Sequence, residues 1–474
     1  MGNYIQVLSA KQKALQINLD STMYGAFAEI GAGQEVARHF FQAGGAAHTI
    51  AKTISAYDMA MSDAIYGKEE SGRYVSEGRL TKMLQREFSI LLTRLEGTRA
   101  ANTRYFAFAN TVATRSHASP GYGVMGLRFQ HQAGGPHSDV ILHVRMLDNQ
   151  ATNQQESLGI IGVNLIYGCF FLLDDLDVFI QSLLDNLSVE RMNIEMIKVT
   201  GPAFQGRDSR LLNFALIKRN FSPGVIFDEK GQVLRPGDAL YNKNVLVLRG
   251  SFRPPTLLNL DMLEKGQLSF KRDLPEAEQQ HLLALCEISM HELLERGEVD
   301  DSDFLARVDL LAALGQKVLI SNHETLWSLN NYLEPMCKKK MAYVLSVYSV
   351  EAFLDVDKHL GHPQGPLAAI GQTLGQKGRI YVYPIKDEKT GEIITVKNCH
   401  VSEKVRGLLG YLIEMGSFVD IENYNKDYLE IWSRTVLRMI ENGEPGLEKM
   451  LPPVVIKVLK EKKLFGYKDA GVKS

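Results

Sequence analysis

Arg249, Gly250, Ser251 and Arg253 follow directly on the apolar run "VLVL" of residues 245–248. Four successive β-formers predict a buried strand. In open α/β sheets, ligands sit beyond the carboxyl ends of such strands. Backbone N–H groups at a glycine turn, joined by guanidinium forks, suit an oxyanion such as a phosphate. A strand end whose arginines serve only the fold would leave the same pattern. A second stretch, "EIGAGQEVAR" (residues 29–38), reads as strand, glycine turn and helix. It places Gly31, Gly33 and Gln34 at a helix start, where N–H groups and dipole favour an anion. The third glycine of the dinucleotide fingerprint is missing, and Glu35 in the first helical turn opposes an anion. Together these six residues, Gly31, Gly33, Gln34, Arg249, Ser251 and Arg253, form a candidate anion site. It would serve a phosphorylated small molecule or a nucleotide, provided the two turns converge.

Other residues offer weaker chemistry. Asp58 and Asp63 are five apart and share a helix face poorly, so they do not make a two-carboxylate site on one helix. A buried member of that pair would need a partner, with Lys52 or Arg38 at hand. Arg128 and Arg145 lie on adjacent β-type runs, either on a solvated sheet face or as a phosphate clamp. Asp208 reads as a helix N-cap. His323 and Glu324 end a strand at a plausible ligand edge, where Asn322 or Thr325 could equally cap a helix. No histidine or cysteine spacing matches a metal site, and no nucleophile elbow, phosphate-binding P-loop or kinase set occurs. Catalytic residues and cofactors are therefore left unassigned.

The elements that must position these residues alternate between types. Helix-period segments such as "RLTKMLQREFSILLTRLEG" stand beside β-type runs such as "RYFAFANTVATR", "SDVILHVRMLD" and "MNIEMIKVTG". "AAHTIAKTISAYDMAMSDAIYG" and "LPEAEQQHLLALCEISMHELLERGEVDDSDFLARVDLLAALG" both read as helical, and "VIFDEKGQVL" as a hairpin. The expected class is α/β (or α+β), with mixed sheets and flanking helices. Two domains are expected, 1–255 and 256–474, with a soft boundary near residues 254–260.

The 474 residues carry a net charge of −2, with 45% hydrophobic and 23% charged residues. That is ordinary globular composition, and it gives no bulk electrostatic case for nucleic acid. Four widely spaced cysteines, Cys169, Cys286, Cys337 and Cys399, argue for reduced thiols rather than a disulfide framework. The start "MGNYIQ" carries no apolar leader or lipidation signal. The longest apolar run, residues 158–173, contains Asn164 and ends in "DDLD", so it reads as buried core rather than a membrane span. The expectation is a cytoplasmic protein with no membrane partner, and with homo-oligomerisation open. In an alternative reading, a non-catalytic assembly protein would dock through Trp432, Leu464, Phe465 and Tyr467.

The turn at residues 250–256 resembles the GSFDPxT…GH turn of nucleotidyltransferases such as phosphopantetheine and nicotinate-nucleotide adenylyltransferases. Arg253 stands where that family has aspartate, and "LLNLDMLEKG" supplies neither of the histidines of its (H/T)xGH step. Adenylyl transfer by that mechanism is not expected. From about Gln16 to Tyr467 the chain also resembles an uncharacterised bacterial family, through "YGAFAEIGAGQEVARHFF", "SAYDMAMSDAIYG", "GVNLIYG", "RGSFRPPT", "YVYP" and "LFGY". Its members carry the names nicotinate-nucleotide adenylyltransferase or TonB-dependent receptor. The receptor name implies an exported barrel, and the chain shows no leader and no train of amphipathic strands.

Overall fold

The computed structural model describes residues 7–468 except 71, 96, 116–120, 295, 296, 298, 299, 376, 377 and 388. The start "MGNYIQ" lies outside the described residues. The fold is α/β, with helices flanking mixed sheets, in two compact units of residues 1–222 and 223–474.

In the first unit the chain runs α1 (Ala10–Leu19), β1 (Met23–Ile30), α2 (Glu35–Ala43), β2 (Ile50–Ile54), α3 (Met59–Tyr66), α4 (Glu77–Leu95) and β3 (Arg104–Ala113). It continues through β4 (Gly121–Gln130), β5 (His137–Met146), α5 (Ala151–Phe171), α6 (Leu176–Ser182), β6 (Met192–Thr200) and α7 (Ser209–Lys218). The six strands form one sheet in the order β2-β1-β3-β4-β5-β6, parallel from β2 to β3 and antiparallel beyond. Alternation divides its faces. Phe27, Phe106 and Phe108 enter the core built with α1, α2 and α5. Their neighbours Ala28, Ala107 and Ala109 meet Leu80, Met83, Leu84 and Phe88 of α4. Alanine on that face makes room for the large residues that α4 presents at helical spacing.

Most of the apolar run of residues 158–173 packs in the core, largely within α5, while Phe171 is exposed. No described helix is long and apolar enough to cross a membrane. Asn164 inside that run accepts from the buried Lys13 ammonium at 2.8 Å, and Asp185 pairs with the same ammonium at 2.6 Å. Tertiary pairing corrects the helical reading of residues 46–67: "IAKTI" is strand β2, laid parallel on β1, and only α3 is a regular α-helix there.

The second unit opens with the expected hairpin, β7 (Gly224–Phe227) and β8 (Val233–Leu234), followed by the turn α8 (Pro236–Ala239). Then come β9 (Lys243–Arg249), α9 (Leu257–Arg272), α10 (Glu276–Gln279), β10 (Leu282–Ser289), α11 (Met290–Leu294), α12 (Asp301–Ala313) and β11 (Lys317–Ser321). The chain goes on through α13 (Leu326–Cys337), β12 (Lys338–Ser346), α14 (Val347–Leu354), α15 (Pro366–Leu374), β13 (Arg379–Tyr383) and the hairpin β14 (Ile385–Lys386) and β15 (Ile393–Ile394). It ends with α16 (Glu403–Glu414), β16 (Phe418–Asp420), α17 (Ser433–Asn442) and α18 (Pro453–Lys462). The main sheet has the order β16-β13-β12-β9-β10-β11-β7-β8. Its first six strands in that order are parallel, and β7 joins β11 antiparallel.

Two expectations are corrected here. "LLALCEIS" is strand β10 rather than helix, paired with β9 on one side and β11 on the other. A strand covered on both faces has no polar alternation to betray it, and its Leu, Ala and Glu are strong helix formers. Residues 295, 296, 298 and 299 of that stretch lie outside the described residues. The compact units divide at residues 222 and 223 rather than near 255. A boundary at 255 would remove β9, which sits in mid-sheet between β10 and β12.

Candidate functional site

The parallel strands of the second unit read β11-β10-β9-β12-β13-β16 across the sheet. The chain lays down β9, moves outward to β10 and β11, then crosses back to β12 on the other side. Such a reversal opens a crevice at the carboxyl edge, because the loops after β9 and β12 leave in opposite directions. Residues 250–256 are the loop after β9.

A cavity of about 1020 Å³ opens at this edge. The loop after β9 gives it Ser251 and Arg253, and α12 gives Asp303 and Arg307. Tyr348 comes from the start of α14, Asp387 and Lys389 from the loop after β14, and Trp432, Ser433, Arg434 and Thr435 from the start of α17. The cationic and anionic residues lining it are balanced, so what matters is which charges are already neutralised. Asp303 is: it accepts from Arg253 Nε and, at 2.5 Å, from Arg307 Nη2. Arg307 Nη1 also donates to the Ser251 carbonyl at 3.0 Å. The Arg307 side chain is only 4% exposed. Even so, Arg307 Nε and Arg253 Nη1 are buried with no acceptor among the described residues. Unmet donors of this kind cost about 1–3 kcal/mol each.

The starts of α9 and α17 differ. At α9, Thr256 and Asn259 cap each other: Asn259 N–H donates to Thr256 Oγ1 at 3.4 Å, and Thr256 N–H to Asn259 Oδ1 at 2.9 Å. At α17, Trp432 occupies the cap and its side chain makes no capping hydrogen bond. The positive end of α17 is thus directed at the cavity through Ser433, Arg434 and Thr435. Trp432 and Tyr348 stand with ring centroids 6.1 Å apart, an apolar wall beside this polar corner.

The sequence candidates separate. Ser251 and Arg253 line the cavity. Arg249 spends four of its five N–H donors inside the fold. It holds the fully buried Glu287 at 2.6 and 3.1 Å and the carbonyls of Glu324 and His323 at 2.6 and 2.7 Å. Ser321 also donates to Glu287, at 2.6 Å. Arg249 thereby ties the ends of β9, β10 and β11 together. His323 hydrogen-bonds Ser328 through Nδ1 at 2.7 Å, and burial with Arg249 nearby pushes it down to about 4. It is neutral and its ring stacks on Tyr332.

Gly31, Gly33 and Gln34 belong to the first unit, and the structure gives their turn a different role. The Glu29 carboxylate accepts from the N–H groups of Val36 and Ala37 at 3.2 and 2.9 Å, and from Asn110 Nδ2 at 3.0 Å. The N–H groups of this helix start are therefore met by the protein's own Glu29 side chain. Burial pushes Glu29 up to about 7 against the downward pull of those three hydrogen bonds. Gly31 is required by space, since a Cβ there would lie 1.9 Å from the Val112 carbonyl oxygen. Gln34 accepts from Thr53 Oγ1 at 3.2 Å.

The remaining charged residues pair within the fold. Asp58 caps α3 and Asp63 binds Arg79, while Lys52 pairs with Glu87. Arg128 grips Asp139 with two bonds, Arg145 binds Glu195, and Asp208 caps α7. Tyr467 is buried, and Leu464 and Phe465 pack on the cluster around Val436 and Leu459. The sequence reading missed Asp303, Arg307, Tyr348 and Arg434. The signals were present but weak: an Asp–Arg pair four apart on α12, and hydroxyl residues around an arginine at a helix start.

No family model and no curated protein matches the chain. Among solved structures, the chain is similar to the competence/damage inducible protein CihA from Agrobacterium tumefaciens. The identity is 17%, over 36% of this chain and 99% of that one, with a TM-score of 0.26. A competence-damaged protein (CinA) superfamily protein from Enterobacter cloacae matches at 14% identity over 35% of this chain and 94% of that one, with a TM-score of 0.25. Likeness of this extent transfers no activity.

Proposed function

We propose that the second unit binds a nucleotide or another phosphorylated small molecule in the cavity at the carboxyl edge of its parallel sheet. One observation carries this reading. Arg253 and Arg307 line the same cavity as the first turn of α17, and each keeps a buried N–H with no acceptor among the described residues. The phosphate would lie against Arg253 and the first turn of α17, where fork and dipole act on one charge. The wall of Trp432 and Tyr348 would take a planar base, favouring a nucleotide over a simple sugar phosphate.

Calorimetric titration with ATP and with inorganic pyrophosphate tests this. Arg253→Ala is expected to weaken both ligands by roughly 10- to 100-fold, the effect of about 1.5–3 kcal/mol for a charged hydrogen bond. Absence of binding to the unaltered protein at millimolar ligand would end the proposal.

The base is tested separately. Trp432→Leu should cost ATP about tenfold, from a stacking contribution of up to ~1.5 kcal/mol, and leave pyrophosphate unchanged. An equal loss for both ligands would remove the base from the reading and keep the phosphate.

A further inference from the structure

The cavity holds a carboxylate where its ligand would bring a phosphate. We propose that Asp303 is a resident competitor for the ligand's anion: it holds Arg253 while the site is empty and must release it for the anion to bind. This rests on the phosphate-binding reading above and adds how that site is regulated.

The asymmetry between the two arginines supports it. Arg307 is anchored twice, to Asp303 at 2.5 Å and to the Ser251 carbonyl at 3.0 Å. Arg253 has Asp303 as its one hydrogen-bond acceptor among the described residues, and its guanidinium lies 5.4 Å from the Phe465 ring centre. Its Nη1 is left with no acceptor. Arg253 is therefore the fork that can leave, and Arg307 the one that stays.

The exchange strands no charge. A buried carboxylate that loses its partner is heavily penalised. Here Asp303 keeps Arg307 after Arg253 turns away, while Arg253 gains an oxyanion that can also meet its orphaned N–H. Two guanidiniums around one carboxylate give this trio one net positive charge, within a lining that Asp300 and Glu292 help to balance. The loop can remain still during the swap, because Phe252, Pro254, Pro255 and Thr256 around Arg253 are buried. Rotation of one side chain suffices.

Titration with inorganic pyrophosphate distinguishes this from a purely positioning role. Asp303→Asn removes the competing charge and is expected to bind pyrophosphate at least fivefold more tightly than the unaltered protein. The gain should vanish in the double variant Asp303→Asn with Arg253→Gln. If the unaltered protein binds and Asp303→Asn binds no better, Asp303 only positions Arg253 and the competition is overturned, with the phosphate site intact. If neither binds, the phosphate site itself fails. Should Asp303→Asn not fold, a crystal structure of the unaltered protein with pyrophosphate gives the answer. Arg253 must then have parted from Asp303, and an intact ion pair beside bound pyrophosphate would refute the competition.

Discussion

Gly31→Val is expected to destabilise the first unit by about 4 kcal/mol, at the upper end of single-residue effects. Two costs combine. Gly31 has φ +102°, a conformation that side-chain-bearing residues rarely adopt. Its Cβ would also sit 1.9 Å from the Val112 carbonyl oxygen and 2.9 Å from the Val112 carbonyl carbon. Val112 belongs to β3, which pairs along the whole length of β1, so the obstruction is sheet backbone rather than a side chain that can turn aside. Gly33→Val is the comparison. It shares the positive φ, at +81°, but its Cβ would meet only the Glu35 side chain, at 3.7 Å. It should cost about 1–2 kcal/mol, from the backbone alone. Hydrogen exchange of the β1 and β3 amides reads the difference locally. Equal protection in the two variants would show that β3 yields and that space is not what requires Gly31.

Glu29→Gln is expected to abolish a pH dependence of the first unit's stability. Glu29 is pushed up from its ordinary 4.5 to about 7, with burial as the main cause. Its side chain sits in a residue only 1% exposed. Between those values the folded state holds a proton that the unfolded chain has released. The stabilisation is thus complete below pH 4.5 and is lost as pH rises through 7. A shift of that size corresponds to roughly 3 kcal/mol. The glutamine variant mimics the protonated acid and lacks this dependence. Denaturation midpoints of both proteins at pH 5, 6, 7 and 8 should therefore diverge, with the unaltered protein losing ground as the pH rises. A gap that stays constant with pH would mean that Glu29 is charged throughout, held so by Val36, Ala37 and Asn110.

The same side chain takes the helix start on which half of the expected anion site was placed. A glycine turn before a helix is a sound sequence sign of an anion. The sequence cannot say that the anion is Glu29, five residues before Gln34 and brought under the helix start by the turn itself. Asn110, which completes the cap, lies 81 residues from Glu29 in the chain. In the second unit, "VLVLRGSFRPPT" announced a strand end with arginines, and Arg253 and Ser251 do line a cavity there. Arg249 pointed the same way in sequence, yet it is spent on Glu287, a residue hidden in a stretch that read as helix. Losing β10 to its helix-forming composition also concealed the doubly wound order, and with it the crevice.

The sequence by itself determined the α/β class, the hairpin of β7 and β8, the mostly buried nature of residues 158–173, and a strand ending at Arg249. These follow from local periodicity and turn chemistry, which neighbours along the chain supply. Only the tertiary structure decided which arginine lines the cavity. That depends on partners 38 residues away for Arg249 and 50 for Arg253, on helix ends capped or left open, and on donors that burial leaves without acceptors. Charge pairing is a matter of distance in space, and the spacing of residues along a chain does not carry it.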